Sequence, residues 1–112
     1  MPIHWPAIIK HADDPELTYI GDASAWERDP ELQQFVYEDA DLLIDSRGRL
    51  YSLTHRELDL AVPKAIGEVM PLETVLGLVK AHASQAGSCC VAKLYAPTIA
   101  EAFDMLRSLE SK

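Results

Sequence analysis

Imidazoles and carboxylates are the side chains in this sequence best suited to chemistry, and their tightest grouping is His55, Glu57 and Asp59. Residues two apart on a strand share a face. The spacing would therefore set one imidazole beside two carboxylates, as a small metal-binding protein or a hydrolase-like enzyme with a general base requires. Arg56 interrupts the run, and alternating polar residues at a strand end also describe an ordinary wet face, the plainer reading of so short a spacing. His4, His11, Asp13 and Asp14 form a second oxygen-rich group, yet they lack both the acid spacing of a calcium loop and the paired ligands of a zinc motif. Turn formation accounts better for Asp13-Asp14-Pro15, because Asp hydrogen-bonds nearby backbone and Pro pre-sets φ. His82 falls near the end of a helical pattern, where the macrodipole favours a cation, so a capping role is expected. Cys89 and Cys90 are adjacent; on a strand they point to opposite faces, which defeats shared ligation and favours burial. The sequence holds no Gly-rich phosphate loop, serine nucleophile elbow or zinc-protease helix. No cofactor is implied, and the reading leans away from an enzyme.

Charge provides a second kind of site. Residues 1–45 carry eleven acids against Lys10 and Arg28, a net −9, while residues 46–112 sum to +1, for a total of −8. Such an acidic half disfavours direct binding to nucleic acid or to anionic membranes, both of which call for basic surfaces. It allows a protein partner with a basic surface. The candidate docking residues are Trp26, Glu27, Asp29, Glu31, Glu38 and Asp39. The plainer readings are a solvated face for the acids and a core position for Trp26.

These groups need elements to position them. Residues 3–10 read as an opening strand, with Pro6 arguing for an edge or a bulge because it has no N–H to donate. Residues 17–20 read as a second strand. Between Ser24 and Glu38, Trp26, Leu32, Phe35 and Val36 have helical spacing, and Asp29-Pro30 looks like an N-cap and first helical position inside it, so a broken helix is expected. Asp41–Leu53 reads as a hairpin turning at Asp45-Ser46-Arg47-Gly48, and a further short strand is expected around Leu58–Val62. A helix opens at Pro71 with Leu72, Val75, Leu76, Val79 and Ala83 on one stripe and ends at Gly87. Cys89–Tyr95 reads as a strand buried on both faces. Thr98 and Glu101 have capping-box spacing for a last helix with Ile99, Ala102, Phe103, Leu106 and Leu109 inward.

The expected class is α+β: a mostly antiparallel sheet of four to six short strands, two long C-terminal helices and one short helix in the N-terminal half. At 112 residues the chain fits one globular domain spanning 1–112. With no signal peptide or apolar run of roughly 20 residues, and only two adjacent cysteines, a reducing cytoplasmic setting without membrane contact is expected.

The opening Ile-His-Trp-Pro-Ala-Ile-Ile-Lys, the Glu-Leu-Thr-Tyr-Ile segment, Trp26 and the Leu-Ile-Asp-Ser-Arg-Gly-Arg-Leu-Tyr hairpin resemble a small family of uncharacterised bacterial proteins of about this length, a domain of unknown function. The likeness is clearest over residues 1–53. It implies an α+β fold and transfers no activity, cofactor or site. Together these readings favour a non-enzymatic protein-interaction or accessory domain, with the His55, Glu57 and Asp59 chemistry as the alternative. They leave the oligomeric state open.

Overall fold

The computed structural model describes residues 3–85, 87 and 94–110, without the side chains of residues 109 and 110. Its centre is an antiparallel sheet built from β1 (Ala7–Lys10), β2 (Leu17–Ile20), β3 (Leu42–Asp45), β4 (Arg49–Ser52) and β7 (Lys64–Val69), in the order β2-β1-β3-β4-β7. A separate two-stranded hairpin joins β5 (Arg56–Glu57) to β6 (Leu60–Ala61). The helices are α1 (Ala23–Glu27), α2 (Pro30–Gln34), α3 (Leu72–Gln85) and α4 (Ile99–Glu110). The fold is α+β, and among the described residues no helix is long and apolar enough to cross a membrane.

The sheet is covered on both faces, which explains why β1 and β3 are almost continuously apolar. Strand alternation sends Ile8, Leu17 and Ile44 to one face, where they pack with Val75, Leu76 and Val79 of α3 and Ala102, Phe103 and Leu106 of α4. Ala7, Ile9, Ile20, Leu43 and Tyr51 point to the other, against Trp26, Tyr37, Leu53 and Ala61. The register agrees: Ile8 stands opposite Ile44, and Ile9 opposite Leu43, which in turn faces Tyr51. Asp45, fully buried, organises the β3–β4 turn. One carboxylate oxygen accepts the Arg47 and Arg49 N–H groups at 2.9 Å, and the other accepts from His4 N and Tyr51 Oη at 3.2 Å. Gly48 completes the turn with φ +80°.

Several expectations are refined. The opening strand starts only at Ala7, and β1 lies inside the sheet, so Pro6 precedes the ladder and marks no edge. The N-terminal half has two five-residue helices in place of one short helix, the break falling at Asp29, which caps α2 by accepting from Glu31 N and Leu32 N. Phe35 and Val36 leave the helix and are 49% and 74% exposed, contrary to their helical spacing. His82 is buried and caps no helix end; its Nδ1 accepts the Leu17 N–H at 2.9 Å, tying α3 to β2. β7 has no counterpart in the sequence pattern, since Lys64, Gly67 and Glu68 interrupt any strand signal. Thr98 does cap α4, accepting from Glu101 N at 3.2 Å. Most of the strand expected at Cys89–Tyr95 lies outside the described residues; Leu94 and Tyr95 are in irregular structure and Tyr95 is exposed.

Candidate functional site

The segment between α2 and β3 folds back on itself because the Tyr37 hydroxyl donates to the Leu32 carbonyl at 2.7 Å. Tyr37 is drawn into the core, and the two residues before it are pushed outward. Opposite them, the turn after β1 is closed by Lys10, whose ammonium donates to the carbonyls of His11 (2.7 Å) and Asp14 (2.8 Å). Asp13 takes a left-handed φ of 59° there, and Asp14 Oδ1 accepts from Glu16 N, the local side-chain bonding that makes Asp a turn residue. The two segments enclose an open cleft of about 470 Å³ lined by His11, Ala12, Asp14, Phe35, Val36, Glu38 and Asp41.

Asp41 holds the walls together. Its buried carboxylate accepts the Ala12 N–H at 2.6 Å from one wall and the Glu38 N–H at 2.7 Å from the other. Burial is the largest influence on its titration and acts upward, yet the two backbone N–H groups and the charges of His11 and Lys10 together outweigh it, so its pKa lies below the usual carboxylate value. His11 stacks on Tyr37 with ring centres 5.8 Å apart and meets the Phe35 ring edge-on at 5.2 Å, while Phe35 and Tyr37 are 4.8 Å apart. Burial, reinforced by Asp41 and Asp29, pushes the Tyr37 phenol up to about 12. Tyr37 therefore stays a neutral hydrogen-bond donor.

Of the docking and metal candidates singled out by spacing, few lie at this cleft. Glu38 lines it and Asp39 is exposed beside it in sequence. Glu27 and Glu31 are exposed on the short helices, Asp29 is engaged as the α2 cap, and Trp26 is buried in the core at 7% exposure. His55 Nε2 lies 3.1 Å from Glu57 Oε2, whereas Asp59 sits in the β5–β6 turn, following Leu58, with φ 63°. Among the described residues no three His, Cys, Asp or Glu side chains gather closely enough to hold a metal. Arg56 links this hairpin to the cleft by donating to the carbonyls of Phe35 (3.0 Å) and Asp59. Leu58 at its tip is 96% exposed.

A family model matches residues 5–106, nearly the whole chain. The chain belongs to the DUF4144 family. That family is described as a protein structure with unknown function, in keeping with the resemblance read from residues 1–53. A solved structure is similar to this DUF4144 chain: the NMR structure of a protein from Shewanella amazonensis, 26% identical, covering 96% of this chain and 90% of that one, with a TM-score of 0.69. No curated protein gives a match. Membership in DUF4144 assigns no activity, and the similar solved structure supports the fold.

Phe35, Val36 and His11 escape sequence reasoning as cleft residues, because the first two fit a helical stripe and His11 reads as a metal-ligand candidate. Asp29-Pro30 signals where α2 starts, but no signal in the residues fixes its end at Phe35.

Proposed function

We propose that this protein is a non-enzymatic docking module whose cleft receives a basic, partly apolar segment of another protein. The observation that carries this reading is the exposure of Phe35 and Val36 at the mouth of a cleft that also holds Asp14, Glu38 and Asp41. Exposed apolar residues rimmed by polar groups mark binding surfaces; the charged side chains lining this cleft are carboxylates, while Lys10 and Arg56 are engaged on carbonyls of its walls. An arginine or lysine side chain entering here meets carboxylates on both walls and the Phe35 ring face, a cation–π contact of about 0.5–1 kcal/mol at an exposed site. A leucine beside it covers Val36. The excess negative charge of residues 1–45 speeds encounter with such a segment more than it tightens the complex.

The test is an amide chemical-shift titration with a capped peptide alternating arginine and leucine, and with its glutamate-leucine counterpart. The arginine peptide shifts the amides of His11, Ala12, Phe35 and Val36, and the shifts weaken with added salt. Equal shifts with the glutamate peptide, or shifts spread evenly over the surface, would sink the proposal.

A further inference from the structure

His11 carries the imidazole of the cleft, and its ring is placed where a cation gains most. It stacks on Tyr37 with ring centres 5.8 Å apart and planes 11° apart, and meets Phe35 edge-on at 5.2 Å. Its Nδ1 lies 3.9 Å from Asp41 Oδ1, on a buried carboxylate that the Ala12 and Glu38 N–H groups keep ionised. Asp14 and Glu38 stand on the cleft walls, the Lys10 ammonium donates to the His11 and Asp14 carbonyls, and the Arg56 guanidinium donates to the Phe35 carbonyl. Tyr37, raised to about 12, is neutral wherever imidazole titrates. Lysine, arginine and carboxylate side chains ordinarily keep their charge from about pH 5.5 to about pH 7.5, whereas histidine ordinarily changes charge within that interval. Once protonated, His11 gives Phe35, Tyr37 and Asp41 the same cation–π and ionic contacts that an incoming arginine would make. It also repels that arginine, and between unit charges about 4 Å apart this repulsion is worth about fivefold in affinity even in bulk water.

We infer that His11 gates the cleft by its charge: the neutral imidazole admits the cationic side chain of a docking segment, and the imidazolium, seated on Phe35, Tyr37 and Asp41, excludes it. The gate rests on the docking role of the cleft and adds its regulation. Acid then releases a basic partner while the carboxylates that attract it are still ionised.

The test is the arginine-leucine peptide titration run at about pH 7.5 and about pH 5.5, at one ionic strength, on the wild-type chain, His11→Gln and His11→Arg. In the wild-type chain the Ala12, Phe35 and Val36 amides report binding about tenfold weaker at the lower pH. His11→Gln, uncharged throughout, binds equally at both to within about twofold, which assigns the effect to His11 and not to His55 on the neighbouring hairpin. His11→Arg, planar and charged throughout, binds weakly at both. Amide spectra check that both variants fold. Linkage gives a measurement that needs no variant: saturating peptide moves the NMR titration of the His11 ring to lower pH. Absence of cleft shifts at either pH would overturn the docking role and the gate with it. Equal binding at both pH values in the wild-type chain, a His11→Gln variant as pH-dependent as wild type, tight binding by His11→Arg, or a His11 titration unmoved by bound peptide would each overturn the gate alone.

Discussion

Gly48→Ala is a stringent test of how the β3–β4 turn is tied to the rest of the fold. Three consequences follow from the geometry. A left-handed φ of +80° costs a residue with a Cβ about 1–2 kcal/mol. The added Cβ would collide with the Met70 carbonyl oxygen and lie 2.9 Å from Ile99 Cδ1. Ile99 can yield because it is a side-chain end, but the carbonyl is backbone, and moving it endangers the 2.7 Å bond from Met70 N to the Gly48 carbonyl that ends the β4–β7 ladder. Overpacking of this kind costs about 1–3 kcal/mol. The expected total is ~2–5 kcal/mol, a large share of the ~5–15 kcal/mol by which a domain of this size is stable. The control is Gly67→Ala, with nearly the same φ (+79°) but open space around the new methyl; it should lose only the ~1–2 kcal/mol of strain. Urea titrations followed by tryptophan fluorescence give both values, and thermal melts should show roughly 4 °C of Tm lost per kcal/mol. A Gly48→Ala protein within about 1 kcal/mol of wild type, or a Gly67→Ala protein equally damaged, would refute the reasoning, since the collision would then contribute nothing.

Other outcomes follow from the same structure. Asp41→Asn keeps the shape of the side chain but presents an NH₂ to one of two backbone donors, so a loss of about 1–3 kcal/mol at neutral pH is expected in denaturant unfolding. Because the folded pKa of Asp41 is depressed, its contribution is present above the unfolded carboxylate pKa and disappears as pH falls through the lower folded value; the acid limb of the stability curve should therefore be steeper in the wild-type chain than in the Asp41→Asn variant. Tyr37 is the opposite case: with its phenol raised to about 12, stability is full below the ordinary tyrosine pKa and falls as pH rises toward that value, and an absorbance titration should lose one late-ionising tyrosine in Tyr37→Phe. Gly77→Ala, at an exposed mid-helix position of α3 with open space for the methyl, should raise stability by about 0.5–1 kcal/mol, measured by the same urea titration.

Local chemistry accounts for the elements that are legible in the residues alone. Asp29-Pro30 starts a helix and Thr98 caps another because capping involves atoms only two or three residues away. The Asp13-Asp14 turn and Gly48 are legible for the same reason, and the α3 and α4 stripes repeat often enough to be recognised. The α+β class follows from those elements together. Tertiary packing decided the rest. His82 became an acceptor for Leu17 N, a partner 65 residues away that helical spacing cannot reveal. Phe35 and Val36 were turned outward by the hydrogen bond that buries Tyr37. β7 exists because β4 provides a ladder, although its own residues argue against a strand. The cleft itself is a meeting of residues 11–14 with 35–41, joined by the Asp41 carboxylate. Contacts between distant segments depend on chain path, which no short window of residues encodes.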